Sequence, residues 1–215
     1  MIQIFLCICA VFTLIGAGSA YAQALPPNQL PMYGGVKKTD EMKKADAALI
    51  AAIEKEGLSK EEGARRIVRA AWGYFAKRDL ATAMMRFNQA WLLDGESGDP
   101  YHGFALVSSI RGAAPADVET LFRTAISKNK VAVNAFVDYG RFLWLQKRLD
   151  ESMAQLREAL ARSNTAFNAR SNMAFVYYMK GDVANACEWA RAARENKDQL
   201  EPGFLEDMCS KAGKG

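Results

Sequence analysis

From residue 39 onward the chain spaces its apolar side chains as helices do. Met42, Ala45, Leu49, Ile50 and Ile53 share one face of a segment starting at about Thr39 or Asp40, with Lys43, Lys44, Glu54 and Lys55 largely on the other. Gly57 ends that helix. The next opens on a capping box, Ser59 with Glu62 three residues on, which can satisfy two orphan amide donors, and runs to about Lys77. Beyond it, apolar-periodic segments alternate with short polar interruptions at 77–79, 94–99, 112–115, 128–130, 146–148, 162–164, 180–182 and 196–198. No segment alternates strictly as a strand would, so the chain reads as all-α. Residues 23–38 differ: Pro26, Pro27, Pro31, Gly34 and Gly35 bias the backbone to extended and turn conformations, which predicts a leader or a docked arm.

The helical part repeats itself. Ala71, Leu106, Gly140 and Ala174 lie 35, 34 and 34 residues apart. Each opens the same pattern: a small or apolar residue, in most copies a large side chain three positions later, then a second apolar segment ending in alanine. The first copy has Ala70, Ala71 and Tyr74, then Ala83, Phe87 and Ala90. The third has Phe136, Tyr139, Gly140 and Leu143, then Ser152, Leu156 and Ala159; the fourth has Met173, Ala174 and Tyr177, then Ala186, Ala190 and Ala193. The second copy is irregular, with Leu106 in the small residue's place and Val118 in the alanine's, although Phe122 and Ala125 fit. A small side chain at a helix crossing allows close approach, and a ring beside it fills the remaining space.

These units resemble the tetratricopeptide repeat, a helix-turn-helix of about 34 residues. The match places repeats at about 64–97, 99–132, 133–166 and 167–200, between a capping helix over 39–57 and a C-terminal cap over 202–213 carrying Phe204, Leu205 and Met208. It implies a right-handed solenoid of about four hairpins with capping helices at both ends. The family's helix-ending proline is missing from all four copies, where Gly95, Lys130, Asn164 and Asp198 stand instead.

The resemblance also implies where a partner would sit, because first helices of such hairpins line a concave groove. In this register the groove receives Arg65, Arg69 and Trp72, then Phe104 and Val107, then Asn134, Asp138, Arg141 and Trp144, and finally Asn168, Asn172, Phe175 and Tyr178. The candidate partner-binding residues are Arg69, Trp72, Phe104, Asp138, Arg141, Trp144, Asn168, Asn172, Phe175 and Tyr178. Rings that bury apolar side chains, amides that grip a backbone and guanidinium groups that pair with carboxylates suit an extended peptide. The alternative stays open for each: Trp72, Phe104 and Phe175 as core, and Arg69, Arg141 and Asn172 as a solvated face. Only Asn172 and Arg141 match the family's carboxylate-clamp variety, so capture of a free peptide C-terminus is not implied. The run Arg86 to Leu93 departs from the generic repeat, and within it Asn88 and Gln89 either bond across repeats or face solvent. The apolar arm segment Leu30 to Tyr33 is expected to pack along its own solenoid and to occupy or border the groove.

Ahead of the leader, residues 4–18 are uncharged and mostly apolar, and Ser19-Ala20-Tyr21-Ala22 supplies small residues where a signal peptidase reads. This predicts a signal peptide over 1–22, cut before Gln23, and a periplasmic protein. The run is shorter than the roughly 20 residues of a membrane span, so membrane contact is expected only through export. Cys7 and Cys9 leave a lipoprotein alternative, although both fall too early in the run. Cys187 and Cys209 then remain as an even pair in an oxidising compartment, which predicts a disulfide, the alternative being two small buried hydrophobes.

A formal charge of +4 is too mild for a nucleic-acid footprint, and export points the same way. His102 is the only histidine, with no serine, cysteine or carboxylate motif to support it. Glu61-Glu62 reads as a first-turn dipole feature, and Gly34-Gly35-Val36-Lys37-Lys38 lacks the spacing and preceding strand of a phosphate loop. No catalytic residue, metal, cofactor or small-molecule substrate is expected. Together with the resemblance, the chain reads as a non-enzymatic protein- or peptide-binding scaffold or adaptor of the cell envelope. A structural or oligomerising solenoid and an accessory subunit of an envelope enzyme acting on cell wall remain as other classes.

Overall fold

Ten α-helices follow one another in the structure, a computed structural model that describes residues 25–213. The expected signal peptide and the cut before Gln23 lie outside the described residues. The helices are α1 (Asp40–Lys55), α2 (Lys60–Ala76), α3 (Leu80–Leu93), α4 (Asp99–Ile110), α5 (Pro115–Ser127), α6 (Asn134–Leu145), α7 (Leu149–Arg162), α8 (Ala169–Met179), α9 (Val183–Glu195) and α10 (Phe204–Ala212). Four of the starts, those of α1, α2, α3 and α9, are set by N-cap side chains that accept from orphan amides. Ser59 and Glu62 form the reciprocal capping box of α2, while Asp79 and Asp182 accept from the amides of Thr82 and Asn185 to open α3 and α9. Consecutive helices pack as hairpins α2/α3, α4/α5, α6/α7 and α8/α9, and α10 closes the far end against α9. The fold is an all-α solenoid of tetratricopeptide type, and no strand occurs among the described residues.

Each hairpin turns through one left-handed residue: Arg78 (φ 63°), Gly112 (φ 77°), Lys147 (φ 62°) and Gly181 (φ 79°). Counting back seven positions from each gives Ala71, Ala105, Gly140 and Ala174, all buried. The small residue of the second repeat is therefore Ala105, and the expected Leu106 is one position out. At Gly140 a Cβ would stand 2.8 Å from Leu156, and Ser152 of α7, where the family has alanine, donates its hydroxyl to the Gly140 carbonyl at 2.7 Å. At Gly103 a Cβ would fall 2.3 Å from the Phe87 ring, so α4 crosses α3 only because that position is bare.

The core runs through the stack without interruption. One apolar cluster joins Ile53 of α1 to Phe87, Phe104, Phe122, Tyr139 and Leu143; a second joins Phe136 and Val137 to Leu156, Met173 and Val176; a third joins Ala174 and Cys187 to Phe204, Leu205 and Met208. Helix α6 contributes side chains to the first two, and α8 to the last two. This is how a repeat that cannot bury its own apolar face borrows its neighbour's. Cys187 and Cys209 are bonded, with Cα atoms 4.8 Å apart, tying α10 to the last repeat. Closing a separation of 22 residues this way contributes about 3 kcal/mol.

The arm docks, but on a face other than the groove. Two short 3-10 turns, Pro27–Gln29 and Pro31–Gly35, lie against α3 and the end of α4. Met32, Tyr33, Gly34 and Gly35 all have positive φ (52°, 58°, 68° and 66°), which costs roughly 1–2 kcal/mol at each of the two non-glycines. Tertiary contacts hold the turn. Asn88 donates from Nδ2 to the carbonyls of Asn28 (2.9 Å) and Leu30 (2.8 Å), and its Oδ1 accepts from the Tyr33 amide (3.2 Å). Arg111 donates to the Gln29 carbonyl at 2.6 Å. The Tyr33 ring is buried, Lys38 Nζ stands 4.4 Å from its centroid, and burial with the charge of Asp46 pushes its hydroxyl up to about 12. The departure of the 86–93 run from the generic repeat thus has a physical role at Asn88. Gln89 accepts from Arg86 within the same helix.

Candidate partner-binding groove

Two neighbouring depressions follow the first helices of the hairpins. The first, about 540 Å³, is lined by Trp72 and Phe75 of α2, Leu106 and Ile110 of α4, and Phe142 and Leu145 of α6. The second, about 270 Å³, is lined by Trp144 of α6, by Ser171, Asn172 and Phe175 of α8, and by the loop from Gln199 to Glu201. Asp138 and Arg141 border both, so the two form one concave strip.

Seven of the ten predicted residues line it: Trp72, Asp138, Arg141, Trp144, Asn168, Asn172 and Phe175. Phe104 does not. It is fully buried beside Phe87 and Tyr101, as is Val107, because the true register of the second repeat turns α4 by one residue, about 100°. The positions that face the groove are instead Leu106, Ser109 and Ile110, which counting back from the turn glycine at 112 would have identified. Arg69 is exposed and Tyr178 is 46% exposed, and neither lines a depression; Tyr178 sets its edge against Phe204 of α10, centroids 5.9 Å apart. Arg65 is likewise exposed.

The two depressions differ in chemistry. The first is an apolar trough floored by Trp72, which packs against Phe75, Phe87 and His102 at centroid distances of 5.4, 4.9 and 4.9 Å. His102 is buried beneath it, and its Nε2 lies 2.8 Å from Asp138 Oδ2. A carboxylate accepts, so this imidazole nitrogen carries the proton. The pair anchors α6 to α4. In the second depression Trp144 and Phe175 stack at 6.1 Å and 9°, and Phe175 continues onto Phe204 at 4.3 Å. The Trp144 indole nitrogen is buried with no hydrogen-bond partner among the described residues. Asn168, in a left-handed conformation at φ 63°, opens α8 and accepts from the Gln199 amide at 2.8 Å, so it builds the wall. Asp198 does the same work, accepting from the amides of Arg170 and Ser171.

Behind the strip, Glu119 of α5 binds the second repeat to the third. It accepts from Arg148, the residue that precedes α7, from Arg123, and from the hydroxyl of Tyr139. These donors, Arg148 foremost, hold its carboxyl down to about 2, and burial followed by the nearby carboxylate pushes Tyr139 up to about 12. Among the described residues no group of histidines, cysteines and carboxylates could hold a metal, and no helix is long and apolar enough to cross a membrane.

The same path of helices is found in solved structures. PilF of Pseudomonas aeruginosa aligns with a TM-score of 0.63 and 22% identity over 72% of this chain and 71% of that one. YrrB, described as a TPR protein with an unusual peptide-binding site, gives 0.54 and 20% over 78% and 81%. PilW, described as a widely conserved type IV pilus biogenesis factor, gives 0.55 and 16% over 80% of each chain. At these identities the likeness shows the tetratricopeptide-repeat fold. No protein-family model and no curated protein matches the chain.

Proposed function

We propose that the chain is a non-enzymatic scaffold of the cell envelope that takes an extended segment of a partner protein along the concave strip. The observation that carries this reading is the second depression. There an aromatic stack, an exposed guanidinium at Arg141 and the Asn172 amide line one open space, and the indole N–H of Trp144 is buried in its wall with no acceptor among the described residues. The apolar trough beside it would take the partner's hydrophobic side chains. The likeness to YrrB, whose description names a peptide-binding site, supports the ligand class, and the likeness to PilW, described as a type IV pilus biogenesis factor, supports a part in assembly rather than in catalysis. The Cys187–Cys209 bond supports an oxidising compartment.

A photoreactive residue in place of Trp144 or Arg141, irradiated in intact cells, should capture a discrete protein partner, and the same residue in place of solvent-facing Arg157 should not. Capture from position 157 alone would place recognition elsewhere. The exported location predicts that the purified protein begins at Gln23 and shows no free thiol when denatured without reductant. A second reading, self-association, is favoured by Ile110, Leu145 and Met179, which take the same place in successive repeats and are 44%, 56% and 40% exposed. Sedimentation of the purified chain separates the two, since a scaffold for other proteins remains a monomer.

A further inference from the structure

The arm's face of the molecule has recognition chemistry of its own. From Asn28 to Tyr33, three main-chain carbonyls and one amide of the arm are taken up by Asn88 and Arg111 of the repeats. All four bonds engage the backbone of the arm, which any segment that adopts the same turns offers. Asn88 is completely buried, and every hydrogen bond its side chain makes goes to the arm. Side chains add selectivity, with Leu30 and Pro31 lying near Met84 and Leu121, and Tyr33 beside Trp91 at 6.4 Å between centroids.

The arm is nevertheless packed unlike core. Open space of about 360 Å³ remains on its α1 side, among Tyr33, Met42, Leu49 and Met85, and about 320 Å³ on its α5 side, among Leu25, Leu30, Met84 and Leu121. The arm lies in a crevice, between two open depressions, and holds Met32 and Tyr33 in left-handed conformations, a cost that its release would remove. No residue lines both this crevice and the concave strip.

We infer that the crevice formed by α3, α4 and α5 is a second peptide-binding site, and that the arm is its resident, exchangeable ligand. It reads a short segment folded into two turns through Asn88 and Arg111, with a Leu-Pro step and a ring two residues after the proline. A segment of that chemistry from another chain would bind there in the arm's place.

The test keeps the whole chain. A protease site inserted after Val36 severs the arm, and a fluorescent synthetic peptide spanning residues 25–36 is then added. Its anisotropy should rise saturably as it replaces the cut arm, and Asn88→Ala in the cut chain should weaken binding by about tenfold or more. An equimolar peptide of scrambled sequence should not bind. The inference is overturned if the cut arm leaves and the labelled peptide fails to bind, or if Asn88→Ala binds as well as the parent. It is also overturned if the arm never exchanges, or if far-UV circular dichroism shows that cutting unfolds the repeats, because the arm would then be an integral part of the fold.

Discussion

Asn88 sits in the second helix of the first repeat with no solvent around it, and its amide is matched donor for acceptor by the arm. Asn88→Ala would leave two carbonyls and one amide unanswered, a loss of about 2–3 kcal/mol in denaturant unfolding, with faster exchange of the Tyr33 amide. Asn88→Asp keeps one acceptor but turns a buried, unpaired carboxylate onto two carbonyl oxygens, so near neutral pH it should cost at least as much as alanine. Glu119 gives the pH dependence. Its carboxyl lies near 2 in the folded chain against an ordinary 4.5, so its stabilising contribution is complete above about 4.5 and is lost as pH falls toward about 2. Glu119→Gln should flatten the stability profile in that window and leave it unchanged in shape near neutrality. Neither role was legible beforehand: the sequence marked 86–93 as unusual but held nothing to show that Asn88 would meet a segment some 55 to 60 residues earlier.

Among the elements, the helices themselves were the legible part. The capping box at Ser59 and Glu62, the polar interruptions and the small-residue period gave the hairpins in the right order. The one misplaced register, Leu106 for Ala105, arose because the first helix of the second repeat is offset by one residue against its second helix, where Val118, Phe122 and Ala125 were correctly in phase. A helix turns about 100° per residue, so that slip exchanged Phe104 for Leu106 at the groove. The crossing of α4 over α3 makes a separate demand. Gly103→Ala should cost about 1–3 kcal/mol, because the Phe87 ring leaves no room for a methyl group, whereas Gly73→Ala, with open space around its Cβ, should be neutral or slightly stabilising by thermal melt. The capping helix α10 depends on its staple. Reduction of Cys187–Cys209 should lower stability by about 3 kcal/mol and speed amide exchange in α10 first, with α2 to α5 unaffected.

At the scale of the whole molecule the chain presents two faces with different chemistry. The concave strip combines an apolar trough with a polar, aromatic end at Trp144 and Phe175, and the arm's crevice grips backbone through Asn88 and Arg111. Because they share no lining residue, Asn88→Ala should leave capture from position 144 unchanged in intact-cell crosslinking, and Arg141→Glu should diminish that capture while leaving the arm in place. What the sequence by itself determined is what repeats locally: helical period, caps and the small crossing residues of the first, third and fourth repeats. Each depends on near neighbours or on a period summed over four copies, so no distant contact was needed to read it. Only the tertiary structure decided which side of each helix is covered, where the arm lies, and that Asp138 meets His102 and Glu119 meets Arg148. Those outcomes depend on rotations of one residue and on contacts between segments far apart in the chain, and neither leaves a periodic trace in the order of amino acids.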